Sequence, residues 1–287
     1  MVIAISIMGI LAAIAGVYLT PAMNAYFAAQ RRAELTDVAD TALRRMGRDV
    51  RLSVPNSVRT ATSGSDSFVE ILLTRNGGRY RASNDSNPVT TEDILDFTVP
   101  DSSFDTLGNL DTTGDRKVQA NDFVVIQNLG ITGANAYDTG ATNPNIKQIL
   151  SYTANGGAIA GEDHIVLTAA NQFPLESPGR RFFVVSSPVT FACATGGGAL
   201  DGSGNGTGTL RRWSAYTIGG ASPPGTTPTT LPSGAVNALL ANYVSACTIQ
   251  YTPLPLQDRG LVSVQLTLTR GNESVTLYEE FHVNNVP

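Results

Sequence analysis

Two cysteines, Cys193 and Cys247, are the most reactive side chains in this 287-residue sequence, and their setting points to a cross-link rather than to catalysis. Cys193 ends a strand-like run, residues 189–193, and Cys247 lies inside another, residues 244–251. Neither belongs to a CxxC pair or has the basic surroundings that stabilise a thiolate. An even count favours a disulfide in an oxidising compartment. Closing a loop with a separation of 54 residues stabilises a chain by about 4 kcal/mol. Two separate buried thiols are the alternative.

The other candidates are weaker. DTTGDRKVQANDF, residues 111–123, resembles a calcium loop, with Asp111, Asp115 and Asp122 at positions 1, 5 and 12. Thr113 stands where an Asp or Asn is usual, and Arg116 occupies the glycine position and adds positive charge. An acidic surface turn ahead of a strand is the better account. The two histidines, His164 and His282, are separated and strand-borne, a structural or solvent-facing pattern. No HExxH, GxSxG or Walker segment occurs, so no catalytic cluster, metal or cofactor is expected and the chain is not expected to be an enzyme. Trp213 and Tyr216 read as core residues on a strand, with a small carbohydrate-facing patch as the alternative. The Arg pairs at 31–32, 44–45, 180–181 and 211–212 are dispersed. The first suits a membrane surface and the others solvated faces.

Composition excludes further classes. Lys and Arg number 19 against 24 Asp and Glu, giving a net charge of −5, and only Lys117 and Lys147 are lysines. That balance argues against nucleic acid, whose binding rests on phosphate neutralisation. Two Cys and two His leave little for a structural zinc site. With 28 glycines and 15 prolines, much of the chain should be turns and loops.

These residues need elements to hold them. Residues 1–30 contain no charge, and Met1 to Leu19 are apolar for long enough to cross a bilayer. Helical pattern continues beyond them. Leu35, Val38, Ala42, Met46 and Val50 recur at spacings of three and four, with charges around the remaining circumference. Asp40–Arg44 and Arg45–Asp49 are suited to i,i+4 pairing. Pro21 should kink or locally open the helix, and Pro55 should close it. The spacing therefore predicts one helix over 1–54, with 1–28 for membrane or a bundle of like helices and 29–54 amphipathic, packing on a sheet. A membrane anchor followed by a coiled-coil stalk is the alternative.

Residues 55–287 read as β structure. Strand-like runs occur at 67–74, 94–99, 122–128, 163–168, 181–186, 189–193, 209–218, 244–251, 261–270 and 274–283. Gly271-Asn272 sits between two alternating runs as a two-residue hairpin turn. A short helix fits 235–242. The Gly-rich 196–209 and the Pro/Thr-rich 219–234 read as flexible insertions. A helix followed by many strands in series predicts an α+β fold with an antiparallel sheet.

The opening, MVIAISIMGILAAIAGVYLTPAMNAYFAAQ, resembles the N-terminal helix of the type IV pilin and pseudopilin superfamily. Gly9, Ile10, Leu11, Ala12 and Ala13 match its G-I-L-A-A core, and Pro21 lies near its helix-kinking Pro. TALRRMGRDVRLSVPNSVR (41–59), IQNLGITGANAY (126–137), SPGRRFFVVSSPVTFAC (177–193) and ESVTLYEEFHVNNVP (273–287) are similar to the O-type biogenesis subunits of the mannose-sensitive haemagglutinin (MSHA) pilus. Relative to that family, the sequence is expected to begin just after the basic leader, the Gly–Phe processing junction and the Glu.

The resemblance implies a minor subunit that initiates or supports filament assembly. It implies insertion in a bacterial inner membrane with the β domain periplasmic, then transfer to a cell-surface pilus. Expected partners are membrane lipid before assembly, the inner-membrane assembly machinery, and other pilin helices packing around Gly9, Ala12, Ala13, Gly16 and Pro21. Two other readings are a J-type minor pseudopilin of type II secretion and a tip adhesin binding glycan through loops 196–234.

Overall fold

The computed structural model describes residues 1–84, 92–219, 229–254 and 259–287. It is an α+β arrangement of one long helix and a large antiparallel sheet. Helix α1 (Val2–Arg51) carries Pro21 inside it and continues on both sides, as its pattern predicts. Pro21 has no N–H to donate to the preceding turn, and the other bonds of the helix carry it across. The chain leaves the helix at Leu52 and Ser53, whose amides bond to Asp49 O and Val50 O at 3.1 and 3.2 Å.

The sheet is formed by β1 (Arg59–Ser63), β2 (Asp66–Arg79), β3 (Asp101–Asp105), β4 (Phe123–Val125), β5 (Ile146–Thr153), β6 (His164–Asn171), β7 (Arg181–Ala194), β8 (Gly208–Ser214), β9 (Val236–Leu254), β10 (Arg259–Arg270) and β11 (Glu273–Asn284). Its spatial order is β11-β10-β9-β8-β7-β4-β5-β6-β3, with β1 and β2 off this path. Strand β7 is the junction. Along one edge it pairs with β2, from Ser67↔Cys193 to Arg79↔Arg181. Along the other it pairs with β4 through Phe183–Val185 and with β8 through Thr190–Ala194. The sheet therefore forks into a β8–β11 half and a β3–β6 half.

Helix α1 covers the first half. Its buried stripe is Leu35, Ala39, Ala42, Leu43, Met46 and Val50, with Val38 partly buried beside it. These side chains meet Val262, Val264, Leu266 and Leu268 of β10, Phe281 and Val283 of β11, and Ala241, Val244 and Ile249 of β9 in one core. Alternation along β10 places these four of its residues on the helix side, as a strand's two-residue period requires. Gly47 has no side chain because a Cβ there would overlap the Phe281 ring. The β10–β11 turn is the expected hairpin: Arg270 pairs with Glu273, and Gly271 and Asn272 take φ of +57° and +63°. The second half has its own core of Tyr80, Phe104, Phe173, Phe182, Ile149 and Ile165 among others.

Four local expectations need correction. Where a short helix is expected over 235–242, residues 236–242 belong to β9, because pairing with β8 satisfies their backbone and overrides the helix-forming Ala and Leu. The run 94–99 is no strand; it lies beside β3 as an irregular segment, with Leu95 N bonded to Arg81 O at 2.8 Å. Strands β1, β3 and β5 were not evident from alternation. Segment 196–209 is folded: the Asp201 carboxylate accepts Ser203 N, Asn205 N and Asn205 Nδ2 within 3.0 Å. It also clasps the β10–β11 turn, through Gly206 N to Thr269 O, Asn272 N to Gly204 O, and Gly271 N to Asn205 Oδ1. Of the insertion 219–234, residues 220–228 lie outside the described residues.

Candidate functional site

The surface that stands out is the first half of α1. Its large apolar side chains are exposed, among them Ile3, Ile7, Ile10, Leu11, Val17, Leu19 and Phe27. By length and composition the helix is able to cross a membrane. From Met1 to Gln30 it extends roughly 45 Å at 1.5 Å per residue. Gly9, Ala12, Gly16 and Pro21 are all exposed, and a Cβ at Gly9 or Gly16 would touch nothing within 4 Å. The side chain of Ala13 lies outside the described residues. Among the described residues, no part of the sheet domain covers residues 1–27, which is a costly amount of apolar surface to leave in water.

Anchoring begins at the charged boundary. Arg32 meets Glu273 at 3.3 Å and Arg270 meets Glu34 at 3.0 Å, tying the helix to the β10–β11 turn just before Leu35 enters the core. Arg44 pairs with Asp40 at 2.8 Å. Asp49 does not pair with Arg45 as expected. It is buried against β8, where its Oδ2 accepts Arg212 Nε at 2.8 Å. Arg212 is accordingly a helix-to-sheet latch and not part of a solvated face.

Cys193 and Cys247 are joined. Both sulfurs belong to the core beneath α1. Strand β9 runs past the start of β8 and comes back toward β7, so the two Cα atoms lie 6.2 Å apart, within the usual range for a disulfide. Gly208 marks the fold, since a Cβ there would run into the backbone of Ala194 and Val244.

The calcium-like loop does not assemble a cation site. Asp111 accepts Thr113 N and Arg116 Nη1 at 2.9 and 3.2 Å, which holds its pKa below the usual carboxylate range through the Thr113 bonds above all. Asp122 turns the other way and accepts Gln119 N at 2.8 Å and Arg75 Nη1 at 3.3 Å. Asp115 is exposed on a 3₁₀ turn. Trp213 and Tyr216 are buried as core residues, and His282 is exposed on β11.

Two buried polar clusters carried no sequence signal. At the junction, Glu70 of β2 accepts Arg59 Nε at 2.8 Å, Tyr216 Oη at 2.8 Å and Thr190 Oγ1 at 3.2 Å. The Arg59 guanidinium lies 3.7 Å from the Tyr137 ring centroid. Burial raises the Glu70 pKa, and the same burial raises those of Tyr137 and Tyr216. In the β3–β6 half, Arg81 is held between Glu92 (3.0 Å) and Glu162, all three buried. Beside them, Asp105 accepts His164 Nδ1 at 2.8 Å with Asp93 close by. The partners are distant in sequence, so no spacing rule finds them.

Comparison with protein-family models, with curated proteins and with solved structures finds no match to this chain.

Proposed function

We propose that the chain is a minor pilin or pseudopilin, a structural and assembly-initiating subunit of an MSHA-like type IV pilus. The observation that carries this reading is the division of α1 between two environments. Residues 35–50 bury one stripe on the protein's own sheet, while the described side chains of residues 1–27 are exposed. A surface of that kind needs lipid or sister helices. Exchanging one for the other costs little, because both are apolar, and the small residues Gly9, Ala12 and Gly16 permit close helix approach. The sheet domain then projects from the filament, and its disulfide suits an oxidising exterior. In this role the chain supplies shape and contacts, and performs no chemistry.

The test is expression behind a prepilin leader in a piliated bacterium, followed by fractionation. The expected result is recovery first in the inner membrane and then in sheared filaments. Leu11→Lys should remain out of the filaments while the sheet domain keeps its disulfide. A wild-type chain found only as a soluble monomer, or a Leu11→Lys chain incorporated as well as wild type, would overturn the proposal.

A further inference from the structure

The far half of the sheet brings together three metal-ligating side chains from three separate places. Asp93 comes from the irregular segment before β3, Asp105 ends β3, and His164 opens β6. One carboxylate oxygen of each Asp and one imidazole nitrogen all lie within 4.8 Å of one another. His164 Nδ1 is 2.8 Å from Asp105 Oδ1 and 3.7 Å from Asp93 Oδ2. Two ligand atoms on a tetrahedral ion at roughly 2.0–2.1 Å stand about 3.3 Å apart. The two observed separations from His164 fall on either side of that value, and the two carboxylate ligand atoms lie within 4.8 Å of each other.

The supporting structure is already in place. Asp105 is 1% exposed, and its second oxygen, Oδ2, accepts Asp93 N and Ala158 N, each at 3.1 Å. This leaves Oδ1 aimed at the imidazole, as an outer shell of hydrogen bonds fixes a metal ligand. Asp105 N in turn bonds to Asp93 O at 2.8 Å, locking the two acidic residues in register. Local charge points the same way. Arg81 is engaged by Glu92 and Glu162, and Asp93 faces the like charges of Asp101 and Asp105.

We propose that Asp93, Asp105 and His164 bind one divalent ion of zinc's ligand preference, pinning segment 92–96 to the ends of β3 and β6. One imidazole with two carboxylates suits zinc, whereas calcium takes six to eight oxygens. Three protein ligands leave a coordination position for water. His164 ligates as the neutral imidazole through Nδ1, with its ring proton on Nε2.

The test is titration of the untagged full chain, in detergent micelles, with zinc chloride and separately with calcium chloride. One equivalent of zinc should bind saturably and raise the thermal unfolding midpoint, while calcium does neither. His164→Ala and the half-exposed Asp93→Asn should each weaken zinc by about tenfold or more, and His282→Ala should leave it unchanged. Circular dichroism establishes that the variants are folded. Absence of saturable zinc binding, binding that survives both His164→Ala and Asp93→Asn, or loss with His282→Ala would overturn the site.

Discussion

Strands β8–β11 and strands β3–β6 leave the same central strand, yet they fill their interiors differently. Under α1 the interior is apolar, with a helix stripe meeting alternating Val and Leu, and one disulfide as its only covalent tie. Across the fork the interior holds aromatic rings beside the Arg81–Glu92–Glu162 ion cluster. The difference follows from what covers each half. A regular helix satisfies its own backbone, so the sheet beneath it need supply only apolar side chains. Irregular segments cannot do this, and their amides must find side-chain acceptors. Asp163 is one such acceptor, taking Leu110 N at 2.7 Å and Asn155 N at 2.8 Å, together with Tyr152 Oη at 2.8 Å. Polar burial in the far half is therefore the consequence of loop cover.

The largest expected effect breaks the far half alone. Arg81→Met leaves Glu92 and Glu162 buried without that guanidinium and should cost about 3–5 kcal/mol in denaturant unfolding. Amide exchange should quicken in β3–β6 and stay slow in β9–β11. Uniform loss of protection would mean that the two halves unfold as one unit. The converse is removal of the disulfide by Cys193→Ala with Cys247→Ala, expected to cost about 4 kcal/mol. Here exchange should quicken in β7–β9 beneath the helix.

A smaller effect separates the two parts of α1. Gly47→Ala drives a methyl group into the Phe281 ring and should cost about 1–3 kcal/mol. Gly16→Ala meets open space and should leave the isolated chain as stable or up to about 1 kcal/mol more so, since Ala favours helix. If filament contacts occupy that face, the same Gly16→Ala should reduce incorporation into filaments.

Legibility in the sequence divides along the same line. The helix, its stripe from Leu35 to Val50, the β10–β11 hairpin and the cysteine pair were all readable, because each rests on local periodicity, turn chemistry or residue count. Ala39, Leu43 and Gly47 complete the stripe but are ambiguous without the partner strand in view. The far half was largely hidden. Strands β3 and β5 carry polar residues at several positions, and pairing decides their state rather than propensity. The burial of Asp49 on Arg212, of Glu70 on Arg59, and of Arg81 between two glutamates depends on contacts 11 to 163 residues apart along the chain, which no window detects.

The smallest expected effect tests the junction where the two halves meet. Burial is the largest influence on Glu70 and lifts its pKa above the ordinary value near 4.5, against the pull of Arg59, Tyr216 and Thr190. The folded chain then holds this proton more tightly than the unfolded chain. Stability from this source is complete below the unfolded value and is lost as pH rises through the raised folded one. Asp93 and Asp122 are raised by burial and add slope of the same sign. Glu70→Gln removes the buried charge, so it should hold or raise stability at neutral pH and flatten the fall in unfolding free energy above pH 4.5. Repeating the series with Asp122→Asn assigns the remaining slope to the far half. An unchanged slope in Glu70→Gln would mean that the junction carboxylate stays ionised through the range, and that Arg59 outweighs its burial.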